Sequence, residues 1–95
     1  MKIDYDTFIN FCKNLKGRKI DTIGGRSSFE VVSADQYRIR YRLSNGNIRS
    51  TERSIILKVL EKFEKTSSFT TTVYTDVTQA ASYTLALLKL YQNRA

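Results

Sequence analysis

From Tyr37 to Leu43 the chain reads YRIRYRL, and apolar and basic side chains alternate at every step. A period of two puts Tyr37, Ile39, Tyr41 and Leu43 on one face of an extended strand and Arg38, Arg40 and Arg42 on the other. SNGN follows, and Asn45-Gly46 is a preferred pair for a two-residue hairpin turn. The chain is therefore expected to return as a strand over 47–51. That turn would set Leu43 opposite Ile48, Arg42 opposite Arg49, and Tyr41 opposite Ser50.

Upstream, RKIDTIGGRSSFEVVS predicts a short strand near 19–23, a turn at Gly24-Gly25 and a strand over 29–33. A three-residue loop at 34–36 would pair Val31 with Ile39, Phe29 with Tyr41, and Glu30 with Arg40. One face of the resulting meander carries Phe29, Val31, Tyr37, Ile39, Tyr41, Leu43 and Ile48. The other carries Arg38, Arg40, Arg42 and Arg49, with Glu30 as its only acid.

Three stretches change period from two to 3.6. Phe8, Phe11, Cys12 and Leu15 form a stripe on a helix over about 5–16, with Asp4 or Asp6 as its cap and Gly17 past its end. Ile55, Ile56, Val59, Leu60 and Phe63 do the same over about 52–65, where Ser50 or Thr51 can cap. A last helix over about 77–92, capped by Thr75 or Asp76, is apolar nearly all round, as a helix in a core or an interface is. Residues 69–74, FTTTVY, read as an edge strand or an extended loop. The expected fold is one α+β domain, a three- or four-stranded antiparallel meander covered on one face by two to three helices.

The chain has 95 residues, 41% of them hydrophobic and 12% aromatic, which suffices for a single small core. Sixteen Lys and Arg against nine Asp and Glu give a net charge of +7. Such a balance concerns partners and solubility, and favours nucleic acid, an anionic membrane or an acidic protein. One cysteine forms no intrachain disulfide, and neither the N-terminal stretch nor ASYTLALLKLY reads as a membrane span. Both point to a cytoplasmic protein without a membrane partner.

Enzymatic chemistry finds little footing. There is no histidine, and a lone cysteine on an apolar stripe reads as a core residue before it reads as a nucleophile or metal ligand. The acids are scattered, and Glu61 and Glu64 are interleaved with Lys62 and Lys65 as on a solvated helix face. IGGRSS lacks the patterns of phosphate-binding loops and reads as a turn between strands, with a phosphate-contacting loop as the sharper alternative. The chain is expected to be no enzyme and to need no cofactor.

Between residues 24 and 57 there are six arginines and no lysine. Planar guanidinium groups form bidentate hydrogen bonds to phosphates and to guanine edges, while lysine is the commoner choice for mere solvation. Basic strand, Gly turn, basic strand and helix, over about 36–64, resembles the three-stranded DNA-binding domains of the AP2 type, including the arm-binding modules of phage-type integrases. The resemblance implies that the basic sheet face enters the major groove. The expected function is non-catalytic binding of nucleic acid, DNA before RNA, through Arg38, Arg40, Arg42 and Arg49, with Arg26 and Arg53 extending the patch. The alternative is a small interaction module of a bacterial or phage mobile element, docking an acidic partner or forming a homodimer through the C-terminal helix.

Overall fold

The computed structural model describes residues 3–94. It is the expected α+β domain. Helix α1 (Tyr5–Lys13) leads into four strands, β1 (Lys19–Asp21), β2 (Ser28–Ala34), β3 (Arg38–Leu43) and β4 (Ile48–Glu52). Helix α2 (Arg53–Thr66), a 3-10 turn (Thr71–Tyr74) and helix α3 (Ala81–Gln92) complete the chain. The strands form an antiparallel meander in the order β1-β2-β3-β4. All helices lie on one side of it, since Ile20, Phe29, Val31, Ala34, Ile39, Tyr41 and Thr51 are buried while their strand neighbours are not.

Local chemistry sets the helix ends. The Asp4 carboxylate accepts from the Thr7 amide at 3.0 Å and caps α1. The helix closes at Lys13 because the next amides tighten to bonds three residues back, Leu15 to Cys12 and Lys16 to Lys13. Helix α2 begins without a side-chain cap. Thr51, one expected cap, faces the core and meets the Tyr41 hydroxyl at 3.2 Å, and the Ser50 hydroxyl lies 3.5 Å from Glu52.

Residues 69–74 are not an edge strand. They turn inward, burying Tyr74, whose hydroxyl donates to the Ser68 carbonyl at 2.7 Å. Helix α3 starts four residues later than the pattern suggests. The Asp76 carboxylate pairs with Lys62 at 2.5 Å, and the Thr78 hydroxyl accepts from the Ala80 amide instead.

Helix α3 is the central helix of the core. Leu85, Leu87, Leu88 and Tyr91 are buried in this chain, and only Leu90, 37% exposed, stands out among its large apolar residues. Of the residues that suggested a dimer interface, Leu87 and Tyr83 pack on their own sheet and helices, and Leu90 stays exposed. Phe29, Tyr41 and Tyr83 form a triangle of rings with centroids 4.7–5.7 Å apart, which locks α3 to the middle of the sheet. Cys12 is fully buried, and burial pushes its thiol up from 9.0 to about 12, the opposite of an activated nucleophile.

Candidate nucleic-acid interface

The outer face of the sheet is uncovered, and its composition follows from the observed register. In β4 this register differs from the expected one. Tyr41 pairs with Arg49, Arg40 with Ser50, and Arg38 with Glu52. Leu43 donates to the Asn47 carbonyl and Gly46 to the Leu43 carbonyl, so the loop is three residues long, Ser44 to Gly46. A one-residue slip sends every side chain of a strand to the opposite face.

Three expectations are corrected by that slip. Arg49 leaves the arginine face and lies on the helix side, exposed, close enough to Tyr41 to act on its hydroxyl. Ile48 joins the outer face, 48% exposed beside Arg42. Glu52 also joins it, so Glu30 is not its only acid.

The β2–β3 pairing is shifted too, but without exchanging faces. Phe29 pairs with Leu43 and Val31 with Tyr41, and a bulge at Val32 brings Ser33 opposite Arg40 and Ala34 opposite Ile39. Glu30 consequently meets Arg42 rather than Arg40. Tyr37 lies outside β3 and is 63% exposed, not part of the apolar face. The Asp35 carboxylate accepts from the amides of Tyr37 and Arg38, closing a tight turn that carries Tyr37 away from the core.

Across the outer face, Lys19, Arg38, Arg40 and Arg42 stand among Asp21, Glu30 and Glu52. Arg42 reaches Glu30 at 3.1 Å, and Arg38 reaches Glu52 at 3.7 Å. Both pairs are solvent-exposed, and such pairs contribute about 0–1 kcal/mol. They orient the guanidinium groups without removing them from reach. Arg40, in the centre, has no ion-pair partner among the described residues, and serines flank it on both sides, Ser33 and Ser50. The face is thus a mixed-sign surface with one free arginine at its middle, narrower in its positive charge than the alternation alone suggests.

The two outlying arginines go elsewhere. Arg53 stacks over the Tyr5 ring, its guanidinium carbon 4.5 Å from the centroid, and donates to the Gln36 carbonyl at 3.3 Å. It joins α2 to α1 and does not extend the patch. Arg26 is exposed in the β1–β2 turn. There Gly24 and Gly25 have φ of 95° and 70°, and the Gly25 amide donates to the Thr22 carbonyl at 2.9 Å. That donor is committed within the turn, which favours a plain turn over a phosphate cradle.

Among the described residues no three His, Cys, Asp or Glu side chains come together as a metal site. No described helix is long and apolar enough to cross a membrane. Comparison with protein-family models, curated proteins and solved structures found no match to this chain.

The titratable groups give a stability prediction. Amides of Thr7 and of Tyr37 hold the carboxyls of Asp4 and Asp35 below the ordinary 3.8, and the Lys62 ammonium does so for Asp76. A depressed carboxyl contributes stability above its unfolded value, and that stability is lost as pH falls through the folded one. Burial raises the hydroxyls of Tyr5 and Tyr41 above 10.0 and the Cys12 thiol to about 12. A raised group contributes stability below its unfolded value, lost as pH rises toward the folded one. With no histidine in the chain, the melting temperature is expected to be flat from about pH 5 to about pH 8. It should fall below about pH 4 and above about pH 9. Thermal melts followed by circular dichroism check this, and a transition near pH 6.5 would contradict it.

Proposed function

We propose that the protein is a non-catalytic nucleic-acid-binding domain that takes duplex DNA on the outer face of its sheet. The observation that supports this reading best is the row of three arginines along β3, on a face that no helix covers, with Arg40 unpaired at its centre. A single strand of the sheet can lie along the major groove with its outward side chains toward the bases, as other sheet readers do. Arg40 is free for a phosphate or a guanine edge, and Arg38 and Arg42 pair with Glu52 and Glu30 at exposed positions, within reach of a ligand. Ile48, on the same face, offers an apolar contact to a thymine methyl group. Glu30 and Glu52 discourage broad phosphate contact and favour a narrow, base-edge footprint.

The proposed site is therefore Arg38, Arg40 and Arg42. Arg49 and Arg53 belong to other surfaces, and Arg26 lies in the turn beyond the sheet. Acting on DNA, the protein would work in the cytoplasm, where a lone buried thiol stays reduced.

Fluorescence anisotropy with a mixed-sequence duplex, a single strand and an RNA hairpin tests the reading across a salt series. The duplex is expected to bind most tightly, with log K falling against log salt at a shallow slope of about −1 to −3, as a narrow footprint with few neutralised phosphates gives. Absence of duplex binding at low salt would overturn the proposal.

A further inference from the structure

The sheet has an open edge at β1, and a groove of about 540 Å³ runs along it between the strand and α3. Residues 18–25 form one wall of the groove. Phe69 and Leu90, with buried Ala86 one helical turn before Leu90, make the apolar part of the other. Arg18, Lys19 and Lys89 line it against a single acid, Asp21.

The backbone of that edge is arranged to receive a strand. Thr22 donates to the Ser27 carbonyl, so Thr22 and Ser27 are a bonded pair of the β1–β2 ladder. Bonded positions alternate along an antiparallel ladder, and the pairing Ile20–Phe29 continues the same register. Ile20 therefore bonds inward to β2, and Lys19 and Asp21 turn their N–H and C=O groups outward to the groove. Four unpaired backbone groups in extended geometry are a template for another strand.

We infer that the β1 edge docks an extended acidic peptide of a partner protein, added as a fifth antiparallel strand. Charge complementarity selects the peptide, because three cations and one acid surround the groove. Alternation selects its pattern. In that antiparallel strand the residues bonded to Lys19 and Asp21 share their outer face, so the one opposite Lys19 is acidic and the one opposite Asp21 is uncharged. The residues between them point to the helix side and are apolar, toward Phe69 and Leu90. Lys19 and Asp21 share the outer face with the arginine row but lie two strands from it, so loss of peptide binding at β1 and loss of duplex binding at β3 are distinguishable.

The probe is a capped octapeptide of the repeat Thr-Val-Glu-Val, titrated into the full, isotopically labelled chain to millimolar concentration at low salt. Saturable shifts are expected at the amides of Lys19 and Asp21. N-methylation of the Thr and Glu amides should abolish them, and N-methylation of the Val amides should leave them, since only the former face β1. The same peptide with Lys in place of Glu should not bind. Lys89→Glu, on an exposed helix position, should weaken the acidic peptide roughly tenfold. Silence at Lys19 and Asp21, or equal loss from both methylation patterns, would overturn the inference. So would an oligothymidine strand shifting these amides where the peptide does not.

Discussion

Phe29→Ala is expected to destabilise the fold by about 3–5 kcal/mol, the usual cost of removing a buried aromatic ring. Phe29 is fully enclosed, with its ring set edge-on to both Tyr41 and Tyr83. Its loss opens a cavity where β2, β3 and α3 meet. The neighbours cannot close it, because Tyr41 is held by its bond to Thr51 and α3 is packed along its length. Domains of this size have about 5–15 kcal/mol in total, so much of the stability is at stake. Urea unfolding followed by far-ultraviolet circular dichroism measures it. A loss below about 1 kcal/mol would mean that the aromatic triangle does not join the sheet to α3 as described.

Arg40→Glu should show the reverse profile. The side chain is exposed and has no partner to lose, so stability should change by less than about 0.5 kcal/mol. Duplex affinity should fall by about tenfold or more, because a central phosphate or base contact becomes a repulsion. Arg49→Glu is the matched control. It changes net charge by the same amount from the helix side of β4, where no duplex contact is proposed. A smaller loss in Arg49→Glu than in Arg40→Glu localises the site. Equal losses would mean that only the overall field of the protein matters.

The elements of this fold are legible in the sequence where one period dominates. YRIRYRL can bury only one of its faces, and the observed β3 buries Ile39 and Tyr41 and exposes all three arginines. The stripes of α1 and α2 place Phe8, Cys12, Ile56, Val59 and Leu60 in the core as the spacing predicts. The register around the hairpin is not legible in the same way. Asn45-Gly46 suits a two-residue turn when both residues take positive φ, yet only Gly46 does here. The Asn45 side chain instead accepts from the Asn47 amide at 3.0 Å, which supports a three-residue loop. The same dipeptide serves both loops, and β4 is too mixed in polarity to choose between its own faces. The position of Arg49 therefore turned on a single amide geometry.

The candidate site was altered by that residue and by Glu52. A run of arginines on alternate positions identifies a face, but the acids opposite them come from strands whose register the arginines do not determine. Glu30 and Glu52 convert an expected cationic sheet into a mixed surface around Arg40. The β1 groove has no sequence signature, because Lys89 and Leu90 are brought to Arg18 and Lys19 only by the packing of α3 on the sheet edge.

The most direct measurement is the footprint of a saturating duplex on the labelled protein, read from backbone amide and arginine Nε resonances. The proposed function predicts shifts concentrated at Arg38, Arg40 and Arg42, with Ser33, Ile48 and Ser50 beside them. Shifts confined to the helix side, or to the groove at Lys19 and Lys89 with Arg40 unmoved, would contradict it.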